Sequence, residues 1–207
     1  LSIRRQRQMC IRDRANNMTK FLPQEEFRPD AKVPLEGIRV LDLSRLVSGN
    51  MVTHVLADYG AEVVKIEKPG SGDDLRNWTT DGVSTHWKVY CRNKKSISLD
   101  LRKTKGREIL LKLIVKFDVL VENFKPGTLE KWGLGPDLLQ EKNPKLTVVR
   151  NSGWGQTGPW SHKPGFGSLE SLSATLLAAV LLEKSILSES SMPSLCWFAF
   201  PLRIVFI

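Results

Sequence analysis

The sequence predicts an α/β fold: a Rossmann-like, mostly parallel sheet with helices on its faces. Two observations carry this prediction. Short apolar runs typical of buried strands alternate along the chain with segments that have apolar residues at helical spacing. Glycine, proline and asparagine separate these segments by short links, and such an alternation is typical of a parallel sheet flanked by helices.

The first half of the predicted fold contains two strands and one helix. Residues 38–43 are rich in aliphatic side chains and form the first predicted strand. A loop at residues 44–50 leads into a helix that Gly60 ends. Residues 61–66 form the second predicted strand, and the proline and glycines of residues 68–74 exclude regular structure from the loop that follows.

The second half repeats the pattern. Residues 96–101 alternate in polarity and predict a third strand, and residues 106–117 have apolar side chains at helical spacing. The remaining predicted elements are a buried strand at residues 119–121, a helix capped by Thr128, a short helix at residues 136–141 and a strand at residues 146–149.

Residues 118–135 are the most informative segment, because a short buried strand there opens into a polar loop and a new helix. Ligands of α/β sheets bind outside the carboxyl ends of the strands. The exit of this strand presents Glu122, Asn123 and Lys125. An ordinary strand-to-helix turn has the same pattern, so the segment predicts a ligand site only together with other segments of the chain.

The composition is that of a folded globular protein of one domain, with 207 residues, of which 41% are hydrophobic and 26% charged. The net charge of +9 is not gathered into one basic run. Residues 1–14 contribute +4 and residues 166–207 contribute −1, and the rest of the basic excess is interspersed with acidic side chains. This distribution favours a small polyanionic ligand over a nucleic acid, which we do not expect as a partner.

Neither a metal site nor a disulfide framework is predicted. The three cysteines and the three histidines lie in separate segments without the spacing of metal ligands. Free thiols indicate a reducing compartment, so we expect a cytoplasmic or mitochondrial matrix protein that is not secreted. The apolar runs near the C-terminal end fall short of the roughly 18 residues that span a bilayer, so no membrane association is expected.

Both ends of the chain differ in composition from the middle. Residues 1–17 are arginine-rich but lack the apolar face of a mitochondrial presequence, and we interpret them as an artefact or a non-native leader. Residues 18–33 are predicted to form an N-terminal arm. Residues 169–207 form an apolar tail that resembles a frame-shifted or intron-derived segment. The predicted folded region is therefore residues 34–168.

A dinucleotide site is one functional hypothesis, because Glu67 ends the second predicted strand about 20 residues after the first turn, where such folds place a ribose-binding acid. The fingerprint G-x-G-x-x-G needs three glycines, and the first loop, residues 44–50, contains one. A domain like that of NAD-dependent dehydrogenases is therefore kept as an alternative, ranked third after the two hypotheses given at the end of this section.

Five segments in a fixed order carry a resemblance to a known family: Pro34-Leu-Glu-Gly-Ile-Arg-Val-Leu-Asp-Leu43, Gly60-Ala-Glu-Val-Val-Lys-Ile-Glu-Lys-Pro-Gly-Ser-Gly-Asp73, Asn93-Lys-Lys-Ser-Ile-Ser-Leu-Asp-Leu101, Val121-Glu-Asn-Phe-Lys-Pro-Gly127 and Gly153-Trp-Gly-Gln-Thr-Gly-Pro159. In this order they resemble the N-terminal part of the family III CoA-transferases of the CaiB/BaiF type, which include formyl-CoA and succinyl-CoA-dependent enzymes. The resemblance covers about two-thirds of the chain and less than half of a typical member.

The resemblance implies a Rossmann-like domain that binds coenzyme A as an acyl-CoA substrate, and two subunits interlocked in a homodimer. Carried over position by position, the implied CoA contacts are Val47, Ser48, Lys68, Leu99, Asp100, Leu101, Arg102, Asn123, Phe124, Lys125, Lys131 and Lys163. Lysines near strand ends and helix starts supply positive charge for the phosphates of CoA. Several members have arginine where this chain has Lys68 and Lys131, and lysine keeps the charge but loses the bidentate geometry.

Family members move CoA between an acyl-CoA and a carboxylic acid through an aspartate that forms an acyl-aspartyl anhydride. That aspartate should lie some tens of residues beyond residues 165–167, yet the last aspartate here is Asp137. Only Glu170, Glu183 and Glu189 follow, in contexts unlike the motif of the family. We therefore expect the chain to contain the CoA-binding half, to lack the nucleophile and to be inactive alone.

Two leading hypotheses for the function remain open. In the first, the chain is part of a CoA-transferase. In the second, it is a CoA-binding or partner-binding module without chemistry of its own. The sequence does not indicate the acyl donor or the acceptor.

Overall fold

The computed structural model describes residues 33–165, and it confirms the predicted α/β class. The predicted leader, the arm up to residue 32 and the apolar tail lie outside the described residues, as does the predicted boundary at residue 168. The described strands are β1 (Arg39–Asp42), β2 (Glu62–Glu67), β3 (Lys94–Ser98), β4 (Val119–Glu122) and β5 (Thr147–Arg150). The described α-helices are α1 (Ser48–Asp58), α2 (Thr85–Tyr90), α3 (Thr104–Ile114), α4 (Thr128–Lys131) and α5 (Pro136–Lys142).

The strands form one parallel sheet in the order β3-β2-β1-β4-β5. In β1, Val40 lies opposite Val63 of β2 and Val119 of β4. The order of the strands changes direction between β1 and β4, and in open α/β sheets ligands bind beside the carboxyl ends of the strands at such a point. A ligand site is therefore expected beside the loops that follow β1 and β4.

Successive residues of the strands alternate between two hydrophobic cores, one on each face of the sheet, because a strand has a side-chain period of two. Val40, Val121 and Val149 face the core that Val52, Leu56 and Ala57 of α1 complete. Leu41, Leu120 and Val148 face the opposite core, to which α3, α4 and α5 contribute Leu110, Ile114, Leu129 and Leu139. β1, β2, β4 and β5 carry apolar residues on both faces, as expected for a parallel sheet covered by helices, whereas the edge strand β3 is mostly polar and exposed.

The bounds predicted for the third strand were wrong. It begins at Lys94 and ends at Ser98, instead of covering residues 96–101. Lys94 belongs to the strand because it pairs with Val63 of β2 and buries its ammonium group among polar partners. Leu99, Asp100 and Leu101 lie after the strand and lead to α3.

The helix predictions need several corrections. Helix α1 begins at Ser48, inside residues 44–50 that were predicted to form a loop. The helix after β4 is capped by Gly127 at a φ of 82°, a left-handed conformation that glycine adopts at low cost, so the predicted cap Thr128 is already the first helical residue. Helix α3 begins at Thr104, two positions before the predicted start at Gly106, and ends at Ile114, three positions before the predicted end at Phe117. Helix α2 and the 3-10 turn Asp74–Asn77 were not predicted. The predicted end of α1 at Gly60, with a φ of 99°, is confirmed.

Within residues 33–165, no helix is long and apolar enough to cross a membrane. The same residues contain no group of three or more His, Cys, Asp or Glu side chains that could hold a metal ion.

Candidate functional site

A cleft of about 200 Å³ opens at the carboxyl ends of β1 to β4. Its wall combines aliphatic and aromatic side chains with several charged ones. The lining residues are Leu43, Ser44, Arg45, Ile66, Glu67, Lys68, Gly72, Asp73, Leu99, Asp100, Leu101, Arg102, Phe124 and Trp132. The cleft therefore lies where the change of direction in strand order predicts a ligand site.

The cleft brings together several residues that the sequence analysis named. Lys68 follows β2, residues 99–102 follow β3 and Phe124 follows β4, and all of them line the cleft. The other residues implied in CoA binding do not line the cleft. Val47 and Ser48 lie at the start of α1, and Asn123 contacts the loop between β1 and α1. Lys125 and Lys131 are exposed, and Lys163 has its Nζ 4.8 Å from the ring centre of Trp160.

In the part of the chain that the structure describes, three cationic side chains border the cleft. Lys68 and Arg102 were named from the sequence, whereas Arg45 was missed. The signal for Arg45 was its position: it lies in the loop that follows β1, as Lys68 lies in the loop that follows β2. Arg45 pairs with Asp74, and Arg102 holds Asp100 through Nε to Oδ1 at 2.9 Å. Both arginines are more than half exposed, so their guanidinium groups are accessible to an anionic ligand.

Phe124 and Trp132 form an aromatic wall of the cleft, with ring centres 5.2 Å apart in an edge-to-face arrangement. The buried ion pair between Glu122 and Arg150 holds the backbone of Phe124 in place. Glu122 accepts a hydrogen bond from the backbone N–H of Phe124 at 2.6 Å and another from Arg150 Nε at 2.7 Å. Burial raises the pKa of Glu122, and the hydrogen bond from Arg150 opposes this rise.

Glu67 organises the loop after β2 instead of facing a ligand. Its carboxylate accepts hydrogen bonds from Arg76 Nε and Nη2, each at 2.7 Å, from the N–H of Asp73 at 2.9 Å and from Ser96 Oγ. Burial by itself raises the pKa of Glu67, but these bonds outweigh it and lower the pKa to about 2. Four donors fill the acceptor capacity of a carboxylate, so Glu67 is not available as the ribose-binding acid of a dinucleotide fold.

A buried ionic network lies behind the cleft, on the side of the sheet that α1 covers. Asp42 is fully buried, and the side chains of Lys65 and Lys94 are each 1% exposed. Lys94 Nζ lies 3.1 Å from Asp42 Oδ2 and 2.6 Å from Thr53 Oγ1, and Lys65 Nζ lies 3.1 Å from Asp73 Oδ2. The network thus ties the end of β1, the middle of β2 and the start of β3 to the loop that carries Asp73.

The pKa values of the buried groups in this network are shifted by burial and by the neighbouring charges. Burial by itself raises the pKa of Asp42, but the charges of Lys65 and Lys94 lower it to about 2. Burial by itself lowers the pKa of Lys65, but the negative charges of Asp42 and Asp73 outweigh this effect and raise the pKa. Burial lowers the pKa of Lys94. At neutral pH Asp42 is therefore ionised and balances the cations around it.

We expect the chain to lose stability as the pH falls from about 4.5 to about 2. In this window the unfolded chain binds protons at Asp42 and Glu67 that the folded chain does not, because both pKa values are lowered to about 2 by folding. Acid therefore favours the unfolded state, and Asp42 alone contributes about 2 kcal/mol of this loss. Urea unfolding followed by circular dichroism at pH 7, 4.5 and 3 measures it. An unfolding free energy that stays constant down to pH 3 would contradict the expectation.

With this geometry established, comparison with known proteins identifies the family. The model of CoA-transferase family III matches residues 35–182, which is more than half of the chain. The chain belongs to CoA-transferase family III. The family assignment made from the five sequence segments is thereby confirmed, and the matched range runs past residue 168, where the folded region was predicted to end.

Named relatives agree with the family. The chain is 48% identical to the succinyl-CoA:D-citramalate CoA-transferase of Chloroflexus aurantiacus over 139 residues, covering 66% of this chain and 35% of that protein. It is 42% identical to the human succinyl-CoA:glutarate CoA-transferase over 147 residues, covering 70% and 34%. The crystal structure of a CaiB/BaiF family protein of Brucella suis superposes with a TM-score of 0.68 at 29% identity, covering 76% and 50%. The chain thus spans about a third of the length of the curated relatives it matches.

Proposed function

We propose that the chain forms the CoA-binding part of a CoA-transferase, which moves CoA between an acyl-CoA and a carboxylic acid. The observation that carries the proposal is the composition of the cleft. Arg45, Lys68 and Arg102 border it, and Phe124 and Trp132 form an aromatic wall. A CoA molecule has phosphates that attract such cations and an adenine ring that stacks on aromatic side chains.

The transfer chemistry that we propose for the whole enzyme proceeds through an acyl-aspartyl anhydride. A carboxylate attacks the thioester carbonyl, the bond from carbon to sulfur breaks, and CoA leaves as the thiolate. The thiolate then attacks the aspartyl carbonyl of the anhydride, which releases the donor acid and leaves CoA bound to the aspartate as a thioester. The acceptor carboxylate displaces the thiolate from this thioester and forms a second anhydride, and the thiolate attacks the acceptor carbonyl, which gives the new acyl-CoA and frees the aspartate. Within residues 33–165, the three carboxylates that line the cleft already have partners: Glu67 is held by Arg76, Asp73 by Lys65 and Asp100 by Arg102. We therefore assign this chain CoA binding and not the nucleophilic step.

The relatives support a substrate class for this proposal. Two of them are named for succinyl-CoA as donor, with D-citramalate and glutarate as acceptors. We propose that the complete enzyme likewise uses the CoA thioester of a dicarboxylic acid and transfers CoA to a second dicarboxylic acid. An interlocked homodimer is part of the same proposal.

Binding of CoA to the 207-residue chain, measured by isothermal titration calorimetry, tests the proposal. We expect saturable binding that weakens with salt, because screening reduces the attraction between phosphates and cations. Lys68→Ala and Arg102→Ala are each expected to weaken the affinity about tenfold, since each removes a charge-assisted hydrogen bond.

Two matched controls lie at the opposite edge of the sheet. Lys145 lies two positions before β5 and Arg39 begins β1, so both exposed side chains are at the amino ends of the strands. Lys145→Ala and Arg39→Ala are expected to leave the affinity for CoA unchanged. Equal losses in all four variants, or no binding by the unmodified chain, would contradict the proposal. Tighter binding of NAD⁺ than of CoA in the same titration would favour the dehydrogenase-like alternative.

A further inference from the structure

Asn123, the first residue after β4, is bonded to the loop between β1 and α1. Its Oδ1 accepts a hydrogen bond from the N–H of Arg45 at 2.8 Å. Its Nδ2 donates one hydrogen bond to the carbonyl oxygen of Arg45 at 2.8 Å and another to Ser48 Oγ at 3.1 Å. An amide nitrogen has two protons to donate, so both donors of Asn123 are occupied within the protein.

Helix α1 begins in close contact with this amide. A side chain at Gly49 would place its Cβ 2.7 Å from Ser44 Oγ and 3.3 Å from Cγ of Asn123, so only glycine leaves room for the approach. The hydrogen bonds between Asn123 and the loop therefore depend on the glycine at position 49 as well as on Asn123.

The loop that Asn123 holds has a strained conformation. Leu46 has a φ of 59°, in the left-handed region that side chains other than glycine rarely adopt. The N–H of Leu46 donates to Asp73 Oδ1 at 3.0 Å. A strained residue persists only where its surroundings fix it. Here Asn123 fixes one side of the loop and Asp73 the other.

We propose that Asn123 is a positioning residue that holds Arg45 at the cleft, so that the guanidinium group of Arg45 binds a phosphate of CoA. This inference rests on the proposed function, and it replaces the interpretation of Asn123 as a CoA contact. Arg45 is then an additional phosphate-binding residue of the site. Its pairing with Asp74 keeps the side chain near the cleft and is exchanged for a phosphate when CoA binds.

A double-mutant cycle tests the inference by calorimetry with CoA. Asn123→Leu keeps the branching at Cγ, the number of side-chain heavy atoms and the neutral charge but removes all three hydrogen bonds, and Arg45→Ala removes the cation. We expect each single variant to weaken the affinity about tenfold. In the Arg45→Ala background, Asn123→Leu is expected to cause no further loss, because Asn123 acts through Arg45. Losses that multiply in the double variant would overturn the inference and support direct contact of Asn123 with CoA.

Hydrogen exchange of the chain without CoA gives a second readout that does not depend on the ligand. We expect Asn123→Leu to increase the exchange rate of the Arg45 amide at least tenfold, while the amides of β4 keep their protection. Unchanged exchange at Arg45 would overturn the positioning role. If the unmodified chain does not bind CoA, the proposed function fails, and exchange at Arg45 still decides whether Asn123 holds the loop.

Discussion

Replacing Asp42 by asparagine is expected to lower the free energy of unfolding by about 3–5 kcal/mol, because the change leaves buried cations without their counter-charge. Asp42 is fully buried and accepts hydrogen bonds from Ser44, Thr53 and Lys94. Asparagine keeps the volume, but its amide nitrogen would face the ammonium group of Lys94 as a second donor. The two lysines would then have to bury their charge at high cost or give up their protons.

Urea unfolding at pH 7 measures this effect, and Asp81→Asn is the matched control. Asp81 is exposed and has a φ of 51°, a conformation that asparagine also tolerates, so the control is expected to change stability by less than about 0.5 kcal/mol. The Asp42 variant should also lose part of the acid sensitivity of the native chain. Equal stability of the two variants would show that the lysines have enough alternative partners.

The sequence predicted the sheet well because its strands carry the signal locally. Apolar residues on both faces of β1, β2, β4 and β5 marked them as buried parallel strands, and Gly60 marked the end of α1. Periodicity and turn residues act over a few positions, so a reading of the sequence recovers them. The polar exit of β4 predicted a ligand site at the carboxyl ends of the strands, which is where the cleft lies.

The ionic network and the start of β3 escaped prediction because their partners are distant in sequence. Lys94 meets Asp42 across 52 positions, and nothing near Lys94 indicates that a lysine begins a strand with a buried ammonium group. Asn123 and Arg45 are 78 positions apart, so the sequence alone could not tell a ligand contact from a residue that holds a loop. Which polar groups have partners is a property of the folded chain.

Helix α2 was missed for a different reason. None of its residues is buried, so Thr85–Tyr90 lacks the apolar face from which an amphipathic helix is recognised. Aromatic contacts define its surroundings instead: His86 lies edge-to-face with Trp78, with ring centres 5.8 Å apart, and Arg76 lies 3.6 Å from the ring centre of Trp87. Such contacts leave no periodic signal in the sequence.

Gly106→Ala is expected to destabilise the chain by about 2–3 kcal/mol, although alanine is the better helix former by about 1 kcal/mol. Gly106 lies in the first turn of α3 and is buried. A Cβ there would overlap the carbonyl oxygen of Asp100 and lie 2.7 Å from its carbonyl carbon. The same carbonyl oxygen accepts a hydrogen bond from the N–H of Lys103 at 3.1 Å, so the turn cannot move without breaking that bond. Backbone atoms give way less easily than the end of a flexible side chain.

The variant also links the fold to the site, since the turn that must move contains Asp100, Leu101 and Arg102 of the cleft. We expect the affinity for CoA to fall together with the stability, which thermal unfolding and calorimetry measure on the same sample. Gly135→Ala is the control: Gly135 has a φ of −59°, and an added Cβ would meet Glu130 Cγ at an ordinary 3.5 Å. The control should cost less than about 1 kcal/mol. Unchanged stability in Gly106→Ala would mean that α3 can pivot away from the turn, and the affinity for CoA should then be unchanged as well.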